Sequence, residues 1–246
     1  MSFAIAPGEA WGVVGESGAG KTTLLNLVLG LLEPSEGRIT LGGTAWSPLP
    51  ERERRPRRPK VQAVFQDATA SLPPHRTGWE ILQEPLAIWR RGTKGDRRAA
   101  AARMAARVKF PEGALDQRPG DWSGGLAQRL CLGRALMLEP ALLVLDEPCS
   151  ALDPTLAAHL LALLLEVKAG GTALLLVSHD LPLVAGLSDQ MLVLRDGEPV
   201  GQGPIGQFLS NSEHPYVRAL WEALPRLDGN GKPAATPPPA PARRRC

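Results

Sequence analysis

Long apolar runs, paired cysteines and interleaved aromatics are what this 246-residue sequence lacks, and each absence closes off a class of protein. No stretch approaches 18 consecutive apolar residues, so no segment reads as a transmembrane helix. The N-terminus has no basic-then-apolar signal pattern. Together these predict a soluble intracellular chain that sits at a membrane only where a partner holds it. The three cysteines, Cys131, Cys149 and Cys246, cannot form a disulfide framework, and no Cys/His spacing resembles a zinc site. Aromatics make up 4% of the chain and do not interleave with its basic runs, which argues against stacking on single-stranded nucleic acid.

Lysine is scarce but arginine is clustered, although the net charge is only +3. Residues 51–60 (ERERRPRRPK) form one basic run, 90–109 a second, and Arg243, Arg244 and Arg245 a third. Such runs are read as solvated loops and helix faces, and no nucleic-acid partner is expected.

Glycine is abundant where it carries chemistry. Residues 15–23 read GESGAGKTT, which contains the phosphate-binding pattern G-x-x-x-x-G-K-[ST]. An apolar strand-like run (10–14) leads into it and an apolar helix-like run (24–29) leaves it. In that context the backbone N–H groups of the loop and of the following helix N-terminus face a polyphosphate. The candidate nucleotide-binding residues are Gly15, Glu16, Ser17, Gly18, Ala19, Gly20, Lys21, Thr22 and Thr23. Lys21 would reach the β- and γ-phosphates, and the Thr22 hydroxyl would ligate Mg²⁺. A nucleoside triphosphate is the expected ligand.

Apolar strands alternate with helical patterns along the rest of the chain. Residues 38–41 read as a strand turning at Gly42 and Gly43, and 61–65 as a strand ending at Gln66. The stretch from about 78 to 121 reads as helical. Residues 141–145, 172–177 and 190–195 are further apolar strands, and Asp153-Pro154 opens a helix as N-cap and first residue. This alternation predicts an α/β fold with a mainly parallel sheet covered by helices on both faces. The chain beyond about residue 228 is rich in proline and alanine and reads as a disordered tail.

Carboxylates follow the apolar strand at 141–145. Asp146, at its C-terminal end, can hold Mg²⁺. Glu147 beside it is the candidate general base, facing the attacking water. His179 follows the strand at 172–177, and parallel strands converge at one sheet edge, so it is expected near the same phosphates. Gln66, at another strand end, is a candidate to touch the water or the metal.

Residues 122–129 (WSGGLAQR) open an apolar helix upstream of Asp146, and they resemble the signature motif of ABC-type ATPases. The order P-loop, Gln66, signature, Asp146-Glu147, Ser150-Ala151-Leu152-Asp153, His179 matches that family from Met1 to about Gly203. The resemblance implies a P-loop NTPase core with an antiparallel β element and a helical signature subdomain inserted at about 67–140. It implies an ATPase domain over 1–227, followed by the tail at 228–246. It also implies a head-to-tail dimer with a second ABC ATPase subunit, the same chain or a different one. There Ser123, Gly124 and Gly125 would clamp the γ-phosphate held by the partner's P-loop, with Asp153 at the seam. ATP and Mg²⁺ are the implied cofactors.

Residues 64–67, Ala70-Ser71, Pro74, Thr77, Glu80-Ile81-Leu82 and Glu84-Pro85-Leu86 resemble the peptide and nickel importer branch, as do residues 214–220 (HPYVRAL). That branch implies a peripheral subunit at the cytoplasmic face of the inner membrane. Its partners would be transmembrane permease subunits and, indirectly, an extracytoplasmic binding protein. The alternative is a soluble ABC-type ATPase of an enzyme complex, such as phosphonate breakdown. The sequence departs from the family at Leu126, where glutamine is usual, at Trp122, where leucine is usual, and at Cys149. Upstream of Gly15 there is no position for the aromatic residue that stacks on adenine. The expectation is either a true start further upstream or a weak adenine grip, because Phe3 lies on what resembles the next strand and Trp11 on the strand entering the P-loop.

Overall fold

Every residue of β1 (Ala10–Val14) is buried, because this strand lies inside the sheet with a parallel neighbour on each side. The computed structural model describes residues 1–205. After β1 come α1 (Lys21–Val28), the hairpin β2 (Ile39–Leu41) and β3 (Thr44–Ser47), α2 (Glu51–Arg54) and β4 (Val61–Val64). A helical stretch follows, with α3 (Gly78–Ile88), α4 (Lys94–Arg107) and α5 (Gly124–Leu136). The remaining elements are β5 (Leu142–Asp146), α6 (Pro154–Ala169), β6 (Ala173–Val177), α7 (Leu181–Leu187), β7 (Gln190–Arg195) and β8 (Glu198–Pro204).

The main sheet runs β4-β5-β6-β1-β7-β8, parallel throughout except for β8, which pairs antiparallel with β7 at the edge. Successive side chains alternate between two cores. Ala10 and Val14, Leu143 and Leu145, Leu174 and Leu176 face one side, where the helices of the 78–136 stretch and α6 pack. Trp11 and Val13, Val144, Leu175 and Val177 face α1 and the β2–β3 hairpin. This is the period-2 alternation of a sheet buried on both faces. The register aligns Val13 with Val177 and Val177 with Asp146, so the strands carrying the P-loop, Asp146 and His179 end along one edge.

The stretch read as helical holds separate helices. Arg90 adopts a left-handed φ of 52° after α3, and Thr93 starts α4 afresh by exchanging hydrogen bonds with Asp96. Thr77 and Glu80 do the same at the start of α3. These capping boxes satisfy backbone N–H groups that the first helical turn leaves free. The strand expected at 61–65 stops at Val64, and Phe65 and Gln66 are exposed beyond it.

The basic run at 51–60 is only in part the solvated loop and helix face expected of it: Arg52 and Arg55 are exposed, but three other arginines turn inward. Arg54 is buried, Arg57 donates to the carbonyls of Ala45 and Leu41, and Arg58 donates to the Leu29 carbonyl at 2.5 Å. The guanidinium carbons of Arg57 and Arg58 lie 5.5 and 5.2 Å from the centre of the buried Trp46 ring, contacts worth about 0.5–1 kcal/mol each. The Trp46 indole N–H donates to the Val28 carbonyl at 2.9 Å. Cations are drawn here because the C-terminal end of α1 presents unpaired carbonyls with partial negative charge. Arg58 and Trp46 therefore anchor the C-terminal end of α1, and Arg57 anchors the β2–β3 hairpin. Residues 214–220 and the expected tail lie outside the described residues.

Candidate functional site

The P-loop joins β1 to α1 and is shaped by glycine. A β-carbon on Gly15 would sit 2.4 Å from the Leu194 carbonyl oxygen, and Gly20 precedes α1 with a φ of 94°. No side chain caps α1, whereas Thr77, Thr93, Ser123, Asp153 and Asp180 cap α3 to α7. The first-turn N–H groups of α1 are thus left for an anion. Lys21 Nζ donates to the carbonyls of Gly15 and Glu16, at 2.7 and 2.8 Å, which folds its ammonium over the loop it opens. Thr22 and Thr23 are exposed in the same turn.

Asp146 ends β5 half-buried, and no hydrogen bond to its carboxylate forms among the described residues. Burial pushes this carboxyl above the ordinary value and the neighbouring Glu147 charge pushes the same way, while the Lys21 ammonium offsets part of the rise. A partly buried, unpaired carboxylate facing a lysine suits a divalent cation, which would relieve both causes.

Glu147 departs from expectation. Its backbone turns into the left-handed region, φ 49°, and its side chain is enclosed rather than open to water. Ser178 Oγ donates to Oε2 at 3.0 Å, and the His179 backbone N–H donates to Oε1 at 3.0 Å. The His179 ring places Nδ1 2.8 Å from the same oxygen. Ser178 is held in turn by the Asp180 N–H at 3.1 Å. The physical reason is the register: β6 neighbours β5, so the residues after Val177 arrive beside Glu147 and supply its donors.

The structure brings the P-loop, Asp146, Glu147 and His179 to one sheet edge, and Gln66 lies exposed past the end of the neighbouring β4. Ser123, Gly124 and Gly125 lie at the N-terminal end of α5. Ser123 caps α5, its Oγ accepting from the Leu126 N–H at 3.3 Å. β-Carbons on Gly124 and Gly125 would lie 3.3 Å from Ala151 Cβ and 3.0 Å from Ala151 O, so the helix start packs on the loop after β5. Asp153 ends that loop, exposed, and accepts from the N–H groups of Thr155 and Leu156 as the cap of α6.

A family profile described as ABC transporter matches residues 1–150. The chain belongs to the ABC transporter family. It is 40% identical over 233 residues to a putative peptide import ATP-binding protein of Brucella ovis, covering 94% of this chain and 74% of that one. A probable D,D-dipeptide transport ATP-binding protein of Escherichia coli K12 is 38% identical over 229 residues, covering 93% of this chain and 70% of the relative. Among solved structures, a dimeric ATP-binding cassette in a post-hydrolysis state with ADP and Pi superposes with a TM-score of 0.78 at 28% identity. It covers 82% of this chain and 88% of that one.

In this ABC cassette Ser178 escaped the sequence reading, and Gln128 was read only as part of the signature motif. Ser178 supports Glu147, and its signal was a hydroxyl between a buried strand and a histidine. Gln128, 2% exposed, joins α5 to the Glu147 and Ala151 backbone, and its signal was an amide set among apolar helix residues. The departures also find places in the ABC cassette. Trp122 is buried edge-on against Phe110 with ring centres 5.2 Å apart, and half-buried Leu126 packs on the core. Trp11 is buried beneath Phe3, so its face is not free for an adenine. No helix among the described residues is long and apolar enough to cross a membrane.

Proposed function

We propose that this chain is the ATP-hydrolysing subunit of an ABC importer for peptides, working as a head-to-tail pair of ATPase subunits on transmembrane permease subunits. Membership of the family makes it an ATP-binding ATPase, and relatives that match most of its length are named for peptide import. The observation that carries the reading is the split site. The P-loop, Asp146, Glu147 and His179 share one sheet edge, while Ser123, Gly124 and Gly125 are packed against the Ala151 loop. A second subunit brings the missing half by laying its α5 N-terminus on the γ-phosphate, with Asp153 at the seam. The ATPase domain spans 1–227 in this reading, with 67–140 as its helical insertion.

In the working site Lys21 leaves the Gly15 and Glu16 carbonyls for the β- and γ-phosphates, joined by the free N–H groups of residues 15–23. Thr22 and Asp146 would hold Mg²⁺, with Gln66 at its edge, and the ion would neutralise charge on the phosphate oxygens. Glu147 takes the proton of the attacking water. His179, oriented by Glu147 through Nδ1, offers Nε2 to the γ-phosphate.

The permease docks, in this reading, on a groove of about 440 Å³ between β4 and the helices α3 and α5. Leu31, Phe65 and Ile88 line it and are 57%, 39% and 62% exposed. A permease docked there would sit beside Gln66, at the end of the strand that leads toward the proposed metal. The test is co-purification of the tagged chain from its native membranes. Permease subunits should come with it, and ATP hydrolysis should rise on adding peptide-loaded binding protein. A strictly soluble complex, without permease, would overturn the import reading.

A further inference from the structure

Gln128 uses both ends of its amide inside the protein. Nε2 donates to the Glu147 carbonyl oxygen at 2.9 Å, and Oε1 accepts from the Ala151 N–H at 3.3 Å. The side chain is 2% exposed, so no solvent substitutes for either bond. Glu147 holds a left-handed backbone, φ 49°, which a β-carbon disfavours, and the Gln128 bond is a restraint on that peptide. Gln128 lies three residues after Gly125, on the same face of α5. That face is locked to the loop after β5, because Gly125 leaves only 3.0 Å between an added β-carbon and Ala151 O. The N-terminus of α5, the 147–151 loop and the Glu147 backbone are therefore one mechanical unit. A buried amide satisfied at both ends transmits a small displacement, since breaking either bond leaves an unpaired group.

We infer that Gln128 is a positioning residue that makes the seating of one subunit's signature helix on its partner's ATP felt at that subunit's own Glu147. Each ATP then readies the catalytic carboxylate of the opposite site, and the two sites turn over together. This rests on the head-to-tail dimer proposed above.

The experiment uses the full-length chain in its membrane complex and compares wild type with Gln128→Met, which keeps length and volume but loses both bonds. The expected result is a fall in kcat of about 10-fold or more with the KM for ATP within about twofold. The Hill coefficient for ATP should drop from above 1 to 1. A purely structural amide would lower the melting temperature while leaving kcat per folded complex and the Hill coefficient unchanged, and that result overturns the inference. A wild-type Hill coefficient of 1, with ATP bound independently by single subunits, would overturn the dimer reading itself and the inference with it. Hydrogen exchange on the wild-type complex keeps the test decisive if Gln128→Met fails to fold. A non-hydrolysable ATP analogue should protect the 124–128 and 147–151 amides together, and protection of one segment alone overturns the link.

Discussion

His179 Nδ1 lies 2.8 Å from Glu147 Oε1, joining a side chain that is 77% exposed to one that is 10% exposed. The glutamate also accepts from Ser178 Oγ and from the His179 backbone N–H. An ionised carboxylate accepts, so Nδ1 carries the proton and Nε2 is the ring atom left for a ligand.

Glu147→Gln tests that arrangement. The amide oxygen still accepts from Ser178 or His179, so folding and ATP binding should persist. Hydrolysis should fall by about 100-fold or more, as expected when a general base is lost. Phosphate release and binding of a fluorescent ATP analogue separate the two effects. Unchanged turnover would remove Glu147 from the role of base.

Asp146→Asn should trade activity for stability. The folded-state carboxyl is raised above its unfolded value by burial and by Glu147, so ionising it costs the native state. That cost is absent below the unfolded value near 4 and is present at pH 7, where stability has been lost as pH rises. Removing the charge should raise the Tm without metal by roughly 2–4 °C for each kcal/mol recovered, while Mg²⁺-dependent hydrolysis disappears. A lower Tm for the variant would contradict the electrostatic account.

The parallel sheet and the edge that gathers the P-loop, Asp146, Glu147 and His179 were legible because their signals are local. Apolar runs such as LLVLD and ALLLV mark buried strands, and the glycines and Lys21 of the P-loop act within a few residues of each other. What stayed hidden depends on pairs distant in sequence. Nothing near Arg58 shows that Trp46 and the Leu29 carbonyl await it, so a structural clamp looked like a solvated basic run. Nothing near Gln128 shows that its partners lie 19 and 23 residues on. The enclosed Glu147 carboxylate was missed for the same reason, because its donors come from 31 and 32 residues downstream.

Leu126→Gln addresses the altered signature. Leu126 is half-buried on the core, and its backbone N–H donates to the Ser123 cap. A leucine side chain cannot hydrogen-bond nucleotide across the proposed seam, whereas glutamine can. Turnover in the assembled complex should rise by about 2- to 10-fold, the value of one hydrogen bond of roughly 0.5–1.5 kcal/mol. No change would show that the glycines and Ser123 suffice without it.

The thiols should be slow. Burial pushes Cys149 up to about 11, with the Asp180 and Glu147 carboxylates adding to the shift, and pushes Cys131 up to about 12 against the opposing Arg134 charge, from an ordinary 9.0. At pH 8 the thiolate fraction of Cys149 is then about 100-fold below that of an exposed thiol, and iodoacetamide labelling should slow in proportion. The same shift fixes a pH dependence. Below pH 9 the thiol is protonated in both states and its contribution to stability is complete. Above 9 the unfolded chain ionises while the fold does not, so stability falls as pH rises toward 11 and 12. Cys149→Ser should flatten that decline in Tm between pH 9 and 11. Rapid labelling of Cys149 at pH 8, in a chain whose Tm matches that at neutral pH, would show instead that its thiol is open to solvent.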